Sequence, residues 1–260
     1  MRSMADSLGE AIANQNDLPT VREGQPAYLL LIDGFILDDP ENENLLLAGA
    51  RLYDTYAGIF VKDEARAQRL SEKARNYARR ALCQPHPDLC KFDQGAFEDF
   101  EREVVKMKAK DLPLLYGYAT AWVGWIQAHS GDFRAIADLP KVELAFEQVI
   151  KLDARYERGQ AQLYLGVLRT LRPPALGGKP EVGRKHFENA IEYSEGRNLY
   201  AKVEFARRYA RLIFDQQLHD TLLNEVLDAD PEENGFTLSN TLAQQQARQL
   251  LDSSAAYFEE

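Results

Sequence analysis

Histidines, cysteines, paired carboxylates and clustered aromatics are the residues of this chain that could do chemistry. His86, His129, His186 and His219 share no metal-ligand spacing, and the sequence holds no HExxH, GxSxG or GxGxxG. Cys83, His86 and Cys90 would give a zinc ion three ligands, but no fourth stands nearby. Gly178-Lys179 resembles the end of a phosphate loop. Pro173, however, stands where that loop needs its first glycine, and Pro180 where a hydroxyl would hold magnesium, so a helix-to-helix turn fits better. Asp63-Glu64 and Glu232-Glu233 read as solvated helix ends. Arg207, Arg208 and Arg211 could take an anion, although pairing with neighbouring acids is the simpler reading. No catalytic residue, metal or cofactor is expected, and the chain reads as a non-enzyme.

Cys83 and Cys90, in CQPHPDLC, either close a short loop as a disulfide or stay as free cytosolic thiols. The aromatic set is the better ligand candidate. Tyr116, Tyr118, Trp122 and Trp125 crowd one helix, and Tyr164 with Leu168 sits on the equivalent helix of the next pair. Rings with a few hydroxyls suit an amphipathic ligand, because ligand sites are mostly apolar with sparse polar groups. For any one of these residues, ordinary core packing is the competing role.

The elements that must position them are all helical. With 45% hydrophobic residues in 260, the chain has ample core. A formal net charge of −10 disfavours phosphate backbones and anionic membranes. The longest apolar run, Ala27 to Leu37, is broken by Asp33 and falls short of the ~20 residues a spanning helix needs.

Helical periodicity predicts helices at Ser3–Asn14, Pro26–Leu37, Asn42–Val61 and Asp63–Leu82, with a polar connector over Asn16–Gln25. It continues with Asp93–Met107, Leu114–Ala128 and Pro140–Leu152. Gln160–Ser194 reads as a helical hairpin turned by Pro173, Pro174, Gly177 and Gly178, with Pro180 at a first helical position. Asn198 is the expected cap of Leu199–Phe214. Leu218–Leu227 follows, then a last helix over Leu238–Phe258 with Thr241 and Gln244 placed like a capping box.

These helices repeat in pairs. A small residue follows a large one in each first helix at Gly124, Gly166 and Ala206, 42 and 40 residues apart. In each second helix a bulky residue (Phe146, Phe187, Leu223) precedes a small or aliphatic pair by three. That is the logic of tetratricopeptide repeats, in which a small residue lets helices close up and a bulky one fills the groove. The expectation is an all-α fold of tetratricopeptide-like hairpins forming an α-α superhelix. It is read as a single domain over 1–260: N-terminal helices to 41, a first pair with the cysteine loop over 42–92, later pairs over 93–231, and a C-terminal helix from 232. First helices of such stacks line the concave side, where the aromatic set would sit.

LYLGVLRTLRPPALGGKPEVGRKHFENAIEYS, and above all PPALGGKPE and NLYAKVEFARRYARLIFD, resemble the TatT family. These are the T components associated with tripartite ATP-independent periplasmic (TRAP) transporters. The likeness extends to PAYLLLIDGFI, ARRALCQPHPDLC and ATAWVGWIQAHS. It implies a periplasmic protein, often lipid-anchored, forming a homotrimer with a pore or hydrophobic groove in each protomer. It also implies that a small hydrophobic ligand is passed to a periplasmic substrate-binding protein. Such a compartment would permit a Cys83–Cys90 disulfide. No export signal or lipobox cysteine stands near Met1, so anchoring is an implication of the family alone. The alternative is a cytosolic tetratricopeptide-like adaptor that holds a partner's peptide.

Overall fold

The computed structural model describes residues 4–92, 95–171 and 178–259. It is all-α, with no strand among the described residues. The first half holds α1 (Met4–Ala13), α2 (Leu18–Asp38), α3 (Glu43–Phe60), α4 (Glu64–Cys83), α5 (Pro87–Phe92), α6 (Phe97–Val104) and α7 (Leu112–Ala128). Then come α8 (Phe133–Ala137), α9 (Leu139–Leu152), α10 (Gln160–Thr170), α11 (Pro180–Tyr193), α12 (Leu199–Glu204), α13 (Gln216–Asp228), α14 (Thr237–Asp252) and α15 (Ser254–Phe258). They group into two compact units. One holds Leu18–Leu152; the other holds Asp153–Glu260 with Glu10–Asp17.

Local signals set many of the ends. Asn42, Asp63 and Asp215 cap α3, α4 and α13 by accepting from Leu45, Arg66 and Leu218 N–H groups. Pro180 opens α11 at its first position.

Other expectations yield to packing. Asn16–Gln25 is not a connector: α2 begins at Leu18 and runs through Pro26. Val21, Gln25, Leu29, Ile32 and Ile36 keep one buried face through that proline, and Gln25 Nε2 donates to Leu52 O at 3.0 Å. The tertiary face outweighs the missing backbone bond. Asn198 precedes α12 but gives it no side-chain cap; Asn240 Oδ1 accepts from Leu199 N–H instead. Thr241 and Gln244 form no capping box, because both lie inside α14, where Gln244 donates to Val226 and Ala229 carbonyls. The last helix breaks at Ser253 into α14 and α15. The helix expected to run to Phe214 becomes π-helical over Phe205–Ala210. Pro173, Pro174 and Gly177 of the hairpin turn lie outside the described residues.

In the first unit, α4 is the central slab. Ala74, Ala78 and Ala81 are fully buried, and their small side chains let α3 and α7 come close. Asp33 on α2 ties two neighbours to it: Tyr53 and Tyr77 hydroxyls donate to it at 2.7 Å and Lys73 Nζ at 2.5 Å. Beside α7, an added Cβ on Gly117 would meet Leu47, and one on Gly124 would meet Asp54. Both contacts advance by seven residues, so α3 and α7 run parallel, as first helices of successive hairpins do.

The second unit closes on Leu163, Phe187, Val203, Phe205, Tyr209, Leu223, Val226, Ala243 and Ala247. Its α10–α11 hairpin meets at glycines: an added Cβ on Gly166 would lie 2.8 Å from Phe187. The repeat's small residue Gly166 and bulky residue Phe187 thus meet within one hairpin, where the repeat logic put the bulky residue between neighbouring pairs.

Cys83, ending α4, is disulfide-bonded to Cys90 in α5, with Cα atoms 5.6 Å apart. A loop this short is expected to contribute about 2 kcal/mol by restricting the unfolded chain. Denaturant titration of the protein and its Cys83→Ser/Cys90→Ser variant checks this: the variant's first-unit midpoint should fall.

Candidate functional site

Helix α7 carries four of the six residues expected to line a groove, and burial divides them. Trp122 and Tyr118 are at most 1% exposed. Their rings lie 5.1 Å apart, and Phe100 meets Trp122 edge-on at 5.7 Å. Trp122 Nε1 donates to Asp138 at 3.2 Å. The Arg75 guanidinium lies 4.8 Å from the Trp122 ring and 4.3 Å from that of Trp125, so it binds both indoles. As placed, Tyr118 and Trp122 serve the core.

Tyr116 and Trp125 are only half-buried. Tyr116 meets Phe146 edge-on. Trp125 donates to Glu72 at 2.5 Å and stacks on His129 at 4.7 Å. Tyr164 and Leu168 are half-buried on α10 and belong to the second unit. The structure thus gathers Tyr116, Tyr118, Trp122 and Trp125 on one helix, and leaves two of them with reachable surface.

The titratable candidates are internally engaged. His86 faces Asp111 at 3.0 Å. His186 meets Gln162 at 2.6 Å; burial, then Arg169, pushes its imidazole down to about 4. His219 is fully buried between Asp220 and Arg211, and burial lowers its pKa below the usual value. Arg207 and Arg208 both bond Glu204, while Arg211 bonds Leu250 O and Ser253. The arginine cluster thus bonds groups of its own chain. Among the described residues, no group of three His, Cys, Asp or Glu is placed to hold a metal. Beside the disulfide, Pro40, Glu41, Arg80, Cys83 and Gln84 line an open depression of about 380 Å³.

One residue escaped sequence reasoning. Asp54 on α3 is pressed against Gly124 of α7, and burial alone raises its carboxyl to about 7. Two glycines seven apart on α7, beside an acid on α3, are the signal that could have found it.

The sign of its pH effect follows. An unfolded-chain carboxyl ionises near 3.8 and this one near 7. Between those values the folded state holds a proton that the unfolded state has released. Stability therefore falls as pH rises from about 4 to about 7 and is flat above. Asp54→Asn is expected to remove that slope and to stabilise the protein at pH 8 by about 1–3 kcal/mol. Urea midpoints at pH 4.5 and pH 8 measure it; a slope equal to the parent's would refute the assignment.

Comparison with known proteins takes in nearly the whole chain. The TRAP transporter T-component family model matches residues 14–258. An uncharacterized protein of Treponema pallidum (strain Nichols) is 23% identical over 238 residues, covering 84% of this chain and 73% of its own length. The matched residues begin just after α1 and take in α2 through α15, so these helices, and the α3–α7 and α10–α11 approaches with them, are those of a member of the TRAP transporter T-component family.

Proposed function

We propose that the protein is a periplasmic, non-enzymatic ligand-binding accessory of a TRAP-type uptake system. It works as a homo-oligomer, a trimer, and passes a small hydrophobic or amphipathic ligand to a substrate-binding protein. The family match over residues 14–258 is the observation that carries this reading. Two features agree with it. The Cys83–Cys90 bond suits an oxidising compartment. In the first unit, Tyr116 and Trp125 keep partly open apolar surface on α7, where shape and burial rather than covalent chemistry would hold a ligand. No described helix is long and apolar enough to cross a membrane; a lipid anchor would be a separate attachment.

Native mass spectrometry of the purified protein, followed by organic extraction, tests the proposal. The expected result is an oligomer that releases a stoichiometric apolar species, with less released from Tyr116→Ala and Trp125→Ala. A monomer that yields no such species and takes up no alkyl probe would sink it.

A second reading, a tetratricopeptide-like adaptor, is favoured by α2. Leu30 and Leu37 there are 74% and 81% exposed, one heptad apart. An apolar helical face of that kind suits a partner protein.

A further inference from the structure

We infer that the outer face of α2 is a docking seam for a basic amphipathic helix of another protein. This deepens the partner reading of α2 given above and rests on it.

The first observation is that α2 is apolar on two sides. The face running from Val21 to Ile36 is buried in the first unit. On the other side, Ala27, Leu30, Gly34 and Leu37 follow at spacings of three, four and three. Ala27, Leu30 and Leu37 are exposed, and Leu31 beside them is 42% exposed. A helix apolar on both sides ordinarily has a cover on each, and here one is bare. Alternating spacings of three and four are the seam that one helix offers another. Gly34 leaves a notch in it for a partner's side chain, since an added Cβ there would meet nothing within 4 Å. From Ala27 to Leu37 the seam is about 15 Å long, close to three turns of a partner helix.

The second observation is charge. The seam runs into Asp38, Asp39, Glu41 and Glu43, four exposed carboxylates within six residues. Among the described residues no lysine or arginine forms an ion pair with any of them, and Asp39 takes the Asn42 side-chain amide at 2.9 Å. Arg80, the cation at this end, donates instead to Pro40 O at 2.6 Å. Unpaired acids at the rim of an apolar seam steer and select a cationic partner.

The same charges disfavour other occupants. A second copy lying parallel would set two acidic runs together. One lying antiparallel would bring only the neutral Arg22–Glu23 pair to the acidic run. An anionic bilayer would be repelled.

Fluorescence anisotropy with three labelled peptides of about 18 residues, each locked helical by a side-chain lactam, tests the assignment. One has leucine at heptad positions a and d and lysine elsewhere. The second has the leucines with glutamate elsewhere, and the third has serine at a and d with the lysines. The parent should bind the leucine–lysine peptide at least about tenfold tighter than either of the others, and added salt should weaken it. Leu30→Ser/Leu37→Ser should keep the parent's circular dichroism and urea midpoint, because both side chains are exposed, and should lose at least about tenfold in affinity for that peptide. Asp38→Lys/Glu41→Lys should abolish the preference for lysine over glutamate.

A parent that prefers the glutamate peptide, or a lysine preference that survives Asp38→Lys/Glu41→Lys, would overturn the basic partner and leave the partner reading of α2 intact. An oligomer of the parent that Leu30→Ser/Leu37→Ser disperses would make the occupant a second copy and overturn it too. Binding unchanged in Leu30→Ser/Leu37→Ser, or no binding of any peptide, would overturn both.

Discussion

Gly166→Val is expected to destabilise the second unit by about 3 kcal/mol, the upper end of what overpacking costs. In the α10–α11 hairpin an added Cβ at this position lies 2.8 Å from Phe187 Cδ1 and Cε1 and 3.0 Å from Cγ. The ring has nowhere to go. Phe187 is fully buried and stacks on Phe205 with centroids 5.3 Å apart and planes at 17°. The facing position is as tight: a Cβ on Gly183 would lie 2.6 Å from Thr170 Cγ2 and 3.0 Å from the Gly166 carbonyl. Gly166→Ala should cost less, about 1–2 kcal/mol, because the alanine's better helix propensity offsets part of the clash. Gly34→Ala is the control. That helical glycine has nothing within 4 Å of an added Cβ, so the substitution should stabilise by about 0.5–1 kcal/mol. Urea titrations followed by far-ultraviolet circular dichroism separate the three. Equal effects at Gly166 and Gly34 would show that the hairpin does not depend on close approach.

Trp122→Ala should cost the first unit about 3–5 kcal/mol, as for large aromatic truncations in other cores. The indole is fully buried between Tyr118 and Phe100. Its removal also strips one face from Arg75 and the donor from Asp138. Trp122→Phe keeps most of the volume and should cost about 1–2 kcal/mol, since Asp138 retains Arg75 at 3.8 Å. Trp125→Ala should cost less than Trp122→Ala, because its ring is only half-buried. The chain has two tryptophans, so Trp122→Phe leaves Trp125 as the sole indole reporter. An alkyl ligand that touches Trp125 should change its emission in that variant. If Trp122→Ala unfolded at the parent's midpoint, the assignment of Trp122 to the core would be wrong.

What was legible in the sequence was local. Asp63, where the reading starts the fourth helix, is a cap whose partner lies three residues away, and a cap needs nothing beyond its own turn. The 3.6-residue period marked most helices, because an amphipathic stripe is written in consecutive residues. The small-then-bulky repeat marked Gly166 and Phe187 separately, and the structure packs the two on each other across one hairpin.

What the tertiary structure decided was which face meets what at a distance. Pro26 sits inside α2 because a buried face running from Val21 to Ile36 outweighs a missing N–H. Tyr118 and Trp122 share a helix with Tyr116 and Trp125, and the sequence marks all four alike. Only the placement of Phe100, Arg75 and Asp138, 16 to 47 residues from Trp122 in the chain, buries one pair and leaves the other reachable. Asp54 is the extreme case. Nothing in LYDTY sets it apart until Gly124, 70 residues later, lies against its carboxyl. Burial is a property of the partner surface, and the chain's own periodicity does not name the partner.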